Sequence, residues 1–155
     1  PSARTEQSPF RRTIMKKIHW DDSLSVGIDA IDDQHRRWIG HFNSVVDAIE
    51  SRGGHAPVTS TLGFLIDYTE LHFTTEEGFM TETAYPELAA HKAKHEELRT
   101  TVANLIADFE EEGDTPALEN AIDTFLGTWL VEHIRSTDQL FGAYVKECGL
   151  HLPHE

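Results

Sequence analysis

The chain has 155 residues, enough for one domain around a single well-buried core. Its formal charge of −14 argues against nucleic acid as a partner, because phosphate contacts need basic patches. The single cysteine, Cys148, excludes an internal disulfide framework and any paired-cysteine zinc or haem-attachment motif, and a free thiol near a helix end is expected to be inert.

Residues 1–17 predict a disordered extension or linker, with Met15 a possible alternative start. Their Arg4, Arg11, Arg12, Lys16 and Lys17 are not followed by the apolar stretch of a signal peptide. No run approaches the roughly 18–20 apolar residues of a membrane span, so a cytoplasmic protein is expected. The folded unit should cover 18–150, with 151–155 a polar tail. The segment 18–30 is irregular, but Trp20, Leu24, Val26 and Ile28 predict that it packs over one end of the helices.

A first helix should begin near Asp29–Asp32, where acidic residues suit the positive end of the helix dipole. Its inward stripe is Ile31, His35, Trp38, Phe42, Val45 and Ile49, and Gly53-Gly54 ends it. A second should start at Pro57 and carry Val58, Leu62, Leu65, Thr69, His72, Glu76 and Phe79 on one face. After a turn at Tyr85-Pro86, a third runs to about Glu112. Its stripe is Leu88, His91, His95, Leu98, Val102, Leu105 and Phe109. Thr115-Pro116 reads as a cap followed by a first-turn proline, opening a fourth helix to about Glu147 with Ile122, Leu126, Trp129, Leu130 and His133 inward. Short loops between four long helices predict an all-α, antiparallel up-down-up-down bundle.

Histidines and carboxylates thus occupy seam positions where leucines are expected, and burying them without partners is costly. His72 and Glu76 stand one turn apart on one helix, and His91 and His95 on the next. His35 stands alone on the first helix, and His133 is followed by Asp138. Five residues is an awkward interval, placing Asp138 about 140° from His133 on an ideal helix. A bend, a π-bulge or a break is therefore expected between them. Imidazole and carboxylate without thiolate suit iron, manganese or zinc. Seven ligands exceed one ion and fit two. If Glu76, Asp138 and a solvent-derived oxygen bridge two six-coordinate ions, five histidines complete one and leave the other an open position. The neighbouring Glu77 and Glu132 are expected to be solvated or to back the ligands. His19, His41, His55, His151 and His154 fall outside the pattern.

The runs His19-Trp20-Asp21, Ser25-Val26-Gly27-Ile28 and Ile31-Asp32-Asp33-Gln34-His35 resemble the hemerythrins, in particular the bacterial single-domain branch. So do His72-Phe73-Thr74-Thr75-Glu76-Glu77, Tyr85-Pro86 through His91 and His95, and Trp129-Leu130-Val131-Glu132-His133-Ile134 through Asp138. The resemblance implies two iron ions with an oxo or hydroxo bridge. His91, His95 and His133 would hold the saturated iron, His35 and His72 the open one, and Glu76 and Asp138 would bridge. It implies O2 as ligand, bound end-on by two-electron transfer from the diferrous pair, with Phe73 and Leu130 lining the O2 pocket and Trp38 and Ile39 able to join them.

The expected function is reversible O2 binding for carriage, storage or delivery, by a monomer, without enzymatic turnover as its main role. The alternatives are an O2- or redox-sensing module of a larger receptor and a di-iron oxidase, peroxidase or NO-handling enzyme. Five neutral imidazoles with only two carboxylates favour the carrier, since fewer anionic donors make higher iron oxidation states harder to reach than in four-glutamate, two-histidine oxidase sites.

Overall fold

A computed structural model of the chain describes residues 16–152. Most of the extension assigned to 1–17, and the end of the tail at 151–155, lie outside the described residues. A short 3-10 turn at Asp22–Leu24 precedes α1 (Asp29–Glu50), α2 (His55–Glu82) and α3 (Leu88–Glu112). The fourth helix is composite. It runs without a break through α4 (Pro116–Ala121), a π-helical stretch (Ile122–Gly127), α5 (Thr128–Glu132), a second π-helical stretch (His133–Asp138) and α6 (Gln139–Glu147).

The result is a four-helix bundle, with no strand among the described residues. Short loops at 51–54, 83–87 and 113–115 make each helix the antiparallel neighbour of the last. The expected stripes form the core: Ile31, Trp38, Phe42, Val45, Leu65, Leu98, Phe109, Ile122 and Leu130 are all buried. On α2 the seam closes on the fully buried Met80, and Phe79 is only partly covered. Thr115 caps the fourth helix as its sequence implies, its Oγ1 accepting from the Leu118 N–H at 3.1 Å beside Pro116.

Two local readings are corrected. The second helix starts at His55 rather than Pro57, so His55 is not a loop residue. Its ring stacks on Phe109 at 4.3 Å and 14°, and Gly54, at φ +98°, makes the turn that brings it there. Asp32 does more than face the helix dipole. Buried at the start of α1, its carboxylate accepts from the Val26 N–H at 2.8 Å and the Ser25 hydroxyl at 2.5 Å.

These bonds tie the irregular arm to the bundle, with Leu24, Val26 and Ile28 buried as expected. Gln139 adds a bond from its amide to the Ser23 carbonyl at 2.8 Å. The arm approaches α6 so closely that a Cβ on Gly142 would overlap the Val26 carbonyl. Neither backbone can yield cheaply, so Gly142→Ala should destabilise the metal-free protein by about 1–3 kcal/mol. Chemical denaturation checks this, and an unchanged midpoint would mean the arm is not held against α6.

Candidate metal centre

The four helices deliver all seven seam residues to one place. His35 comes from α1, His72 and Glu76 from α2, His91 and His95 from α3, and His133 and Asp138 from the second π-helical stretch. None is more than 4% exposed. The His133–Asp138 segment is the distortion that the five-residue spacing demands. Its i→i+5 bonding lengthens the turn, so residues five apart return to one face.

The donor atoms fall into two groups, each within 4.8 Å of one another, and share two members. One is Glu76, His91, His95, His133 and Asp138, and the other is His35, His72, Glu76 and Asp138. Each carboxylate divides its oxygens between them. Glu76 Oε2 lies 3.4 Å from His72 Nε2 and 4.0 Å from His35 Nε2, while Oε1 is 3.4 Å from His95 Nε2 and also contacts His91 Nε2. Asp138 Oδ2 lies 2.9 Å from His35 Nε2, and Oδ1 is 3.0 Å from both His91 and His133 Nε2. Adjacent ligands about 2.1 Å from one ion stand roughly 3 Å apart in an octahedron, and most of these donors lie 2.9–3.4 Å apart.

Alignment distinguishes a metal site from an ordinary hydrogen-bonded core. Despite these short separations, all four carboxylate oxygens and His91 Nε2 are buried without an aligned hydrogen-bond partner. They gather within 4.8 Å of one another without pairing. Orphaned buried acceptors of this kind are strongly destabilising unless a cation completes them. The residues fit two metal ions bridged by two carboxylates.

Electrostatics prepares the ligands unequally. Burial pushes the His72 imidazolium down to about 3, so its ring is neutral. Its Nδ1–H donates to Gln34 Oε1 at 2.8 Å, leaving the Nε2 lone pair for a metal. Burial also opposes charge on His91, but the carboxylates of Asp138 and Glu76 outweigh it and raise the ring to about 9. For Asp138, burial acts upward, yet His133 and the close rings of His35 and His91 hold the carboxyl well below its usual range. Glu76 is likewise lowered, against burial and the charge of Asp138, by His91 and His95.

Aromatic and aliphatic walls surround the donors. Phe73, fully buried, stacks on His95 at 3.7 Å and 6°, and Trp129 stacks on His133 at 4.4 Å and 11°. Trp38 contacts the rings of His35, His72 and Phe73, and its indole N–H is committed to Thr69 Oγ1 at 2.8 Å. Leu130, on α5 three residues before His133, and Ile39 are also buried.

Other polar residues sort as expected or better. His41 sits against Tyr68, and His19 and His151 are exposed, while His154 is outside the described residues. Glu132 is exposed. Glu77 is mostly buried and anchored by Arg99 at 3.2 Å, with its other oxygen 3.8 Å from His95 Nδ1. Neither the Gln34 contact nor the Arg99 anchor has a local signal in the sequence, since each joins residues on different helices.

A family model described as the hemerythrin HHE cation binding domain matches residues 26–145. A bacteriohemerythrin of Stenotrophomonas maltophilia is 39% identical over 132 residues, covering 85% of this chain and 84% of the relative. Myohemerythrin-1 of Phascolopsis gouldii is 33% identical over 120 residues, covering 77% and 87%. A crystal structure of wild-type hemerythrin superposes with a TM-score of 0.72 at 29% identity, covering 81% of this chain and 95% of that one.

Proposed function

The chain belongs to the hemerythrin family, and from that premise we propose that it binds O2 reversibly at a pair of iron ions held by the seven buried residues. The division of each carboxylate between two groups of imidazoles carries the reading. His91, His95 and His133 would hold one ion, His35 and His72 would hold the other and leave it an open position, and Glu76 and Asp138 would serve both. Two ferrous ions held there would supply the two electrons that O2 uptake requires, to be returned on release.

The protein's part is to keep that exchange reversible. Phe73, Leu130, Trp38 and Ile39 are all buried, with Trp38 against His35 and His72 and Phe73 stacked on His95, and such an apolar surround excludes water. None of them can deliver a proton to bound O2, because three are hydrocarbon and the indole N–H of Trp38 is already donated to Thr69. A wall that supplies no proton opposes the loss of bound O2 as peroxide, which favours a carrier or store over an enzyme. Among the described residues no helix is long and apolar enough to cross a membrane.

Iron-loaded, anaerobically reduced protein should take up O2 in proportion to half its iron and return it under argon. Continuous O2 consumption in the presence of a reductant would mark an oxidase instead.

Metal uptake should also release protons in a defined window. His91, raised from 6.5 to about 9, carries a proton at pH 7 in the metal-free fold, and a metal must displace it. The stability gained from that charge is full below the ordinary value of 6.5 and is lost as pH rises through about 9. Metal affinity runs the other way, climbing about tenfold per pH unit between neutrality and that point. Zinc titrations at several pH values check the slope, and pH-independent affinity would contradict the His91 assignment.

A further inference from the structure

The residues behind the two metal positions differ in charge. Behind the two-histidine position, His72 Nδ1–H meets the neutral amide of Gln34 at 2.8 Å. Behind the three-histidine position, His95 Nδ1 faces the carboxylate of Glu77 at 3.8 Å. That carboxylate is held from the other side. Arg99 bonds Glu77 at 3.2 Å and Glu70 at 2.9 and 3.0 Å, contacts Glu96, and lies 5.2 Å from the centre of the Phe73 ring stacked on His95. Three carboxylates around one guanidinium leave the outer side of His95 net negative, and the Arg99 clamp keeps the mostly buried Glu77 pointing there.

A carboxylate behind a ligating imidazole increases its donor strength and favours charge on the metal, whereas an amide orients the ring without adding charge. At 3.8 Å Glu77 acts on His95 through its field. Gln34 acts through the existing hydrogen bond.

We propose that Glu77 and Gln34 are positioning residues that make the two metal positions unequal, so that the three-histidine position binds divalent ions more tightly and stabilises the higher charge. The inference rests on the two-metal reading of the site. It predicts an order of filling, beyond the presence of two positions.

Cobalt(II) titration of the metal-free full chain tests it. Each position has its own signature: a cobalt-bound imidazole gives one paramagnetically shifted exchangeable N–H proton, three at one position and two at the other. The three-proton set should appear first in the native protein. Glu77→Gln should weaken that step by about 10-fold or more, Glu77→Asp should largely restore it, and Gln34→Glu should strengthen the other step. The double exchange E77Q with Q34E should bring the two-proton set up first.

A purely structural role for Glu77 would weaken both steps together and leave the order unchanged in the double variant, which would overturn the inference. So would equal or reversed filling in the native protein. Binding of only one cobalt per chain would instead overturn the two-metal reading beneath it, so the two failures are distinguishable.

Discussion

Glu76→Gln should reduce metal content from two ions per chain to one, with the shape of the site kept and only a bridging charge removed. Two divalent ions about 3.5–4 Å apart repel by an amount on the order of 20 kcal/mol even at an effective dielectric of about 20. Anions placed between them must offset that repulsion. Glu76 would do so, with Oε2 toward the His35 and His72 side and Oε1 toward the His91 and His95 side. Asp138 alone cannot hold both ions, and the loss should exceed the 10–100-fold typical of an outer-shell substitution. Metal analysis after exhaustive loading and desalting checks it. Retention of two tightly held ions would mean that Glu76 is not a bridge.

Replacing His72 with Ala has a narrower and equally large consequence. The two-histidine position would retain His35 as its sole imidazole, while the other three imidazoles keep both bridging carboxylates within reach. Iron should fall to about one per chain, and O2 uptake should disappear with the open position. His35→Ala should behave alike, since His35 Nε2 and His72 Nε2 stand 3.1 Å apart on the same point. Full iron content with normal O2 uptake in both variants would show the ligand assignment to be wrong.

The site was more legible in the sequence than the structure that supports it, and the reason is energetic. A buried imidazole or carboxylate on an apolar seam is conspicuous because it needs a partner, and His91 with His95 could be found by helical period alone. The five-residue gap from His133 to Asp138 was legible for the same reason, since two inward polar residues at that interval cannot share an α-helical face. The other π-helical stretch, Ile122–Gly127, carries no comparable mark. Its inward residues Ile122 and Leu126 are four apart and satisfy an ordinary helix equally well. At Gly127 a Cβ would stand 3.0 Å from Phe42 Cζ, so the segment packs closely against α1 at that point.

The outer partners depend on pairings that no single stripe contains. Gln34 follows Asp33 on an exposed-looking run, and only the approach of α2 turns it toward His72. Asp32 looks like a helix-dipole residue until the arm folds back and offers the Val26 N–H and Ser25 hydroxyl. Glu77 and Arg99 sit on different helices, and their sequence separation of 22 gives no local signal. Periodicity identifies which face of a helix turns inward; it does not say what the neighbouring helix brings to meet it.

Reversible O2 binding at the paired site would carry an optical signature. The most direct test follows the visible absorption of iron-loaded, anaerobically reduced protein through repeated cycles of air and argon. An O2-dependent charge-transfer band should form in air, vanish under argon and return with little loss on the next cycle. Permanent conversion to a diferric spectrum at the first exposure, or no O2-dependent band in protein carrying its full iron, would contradict it.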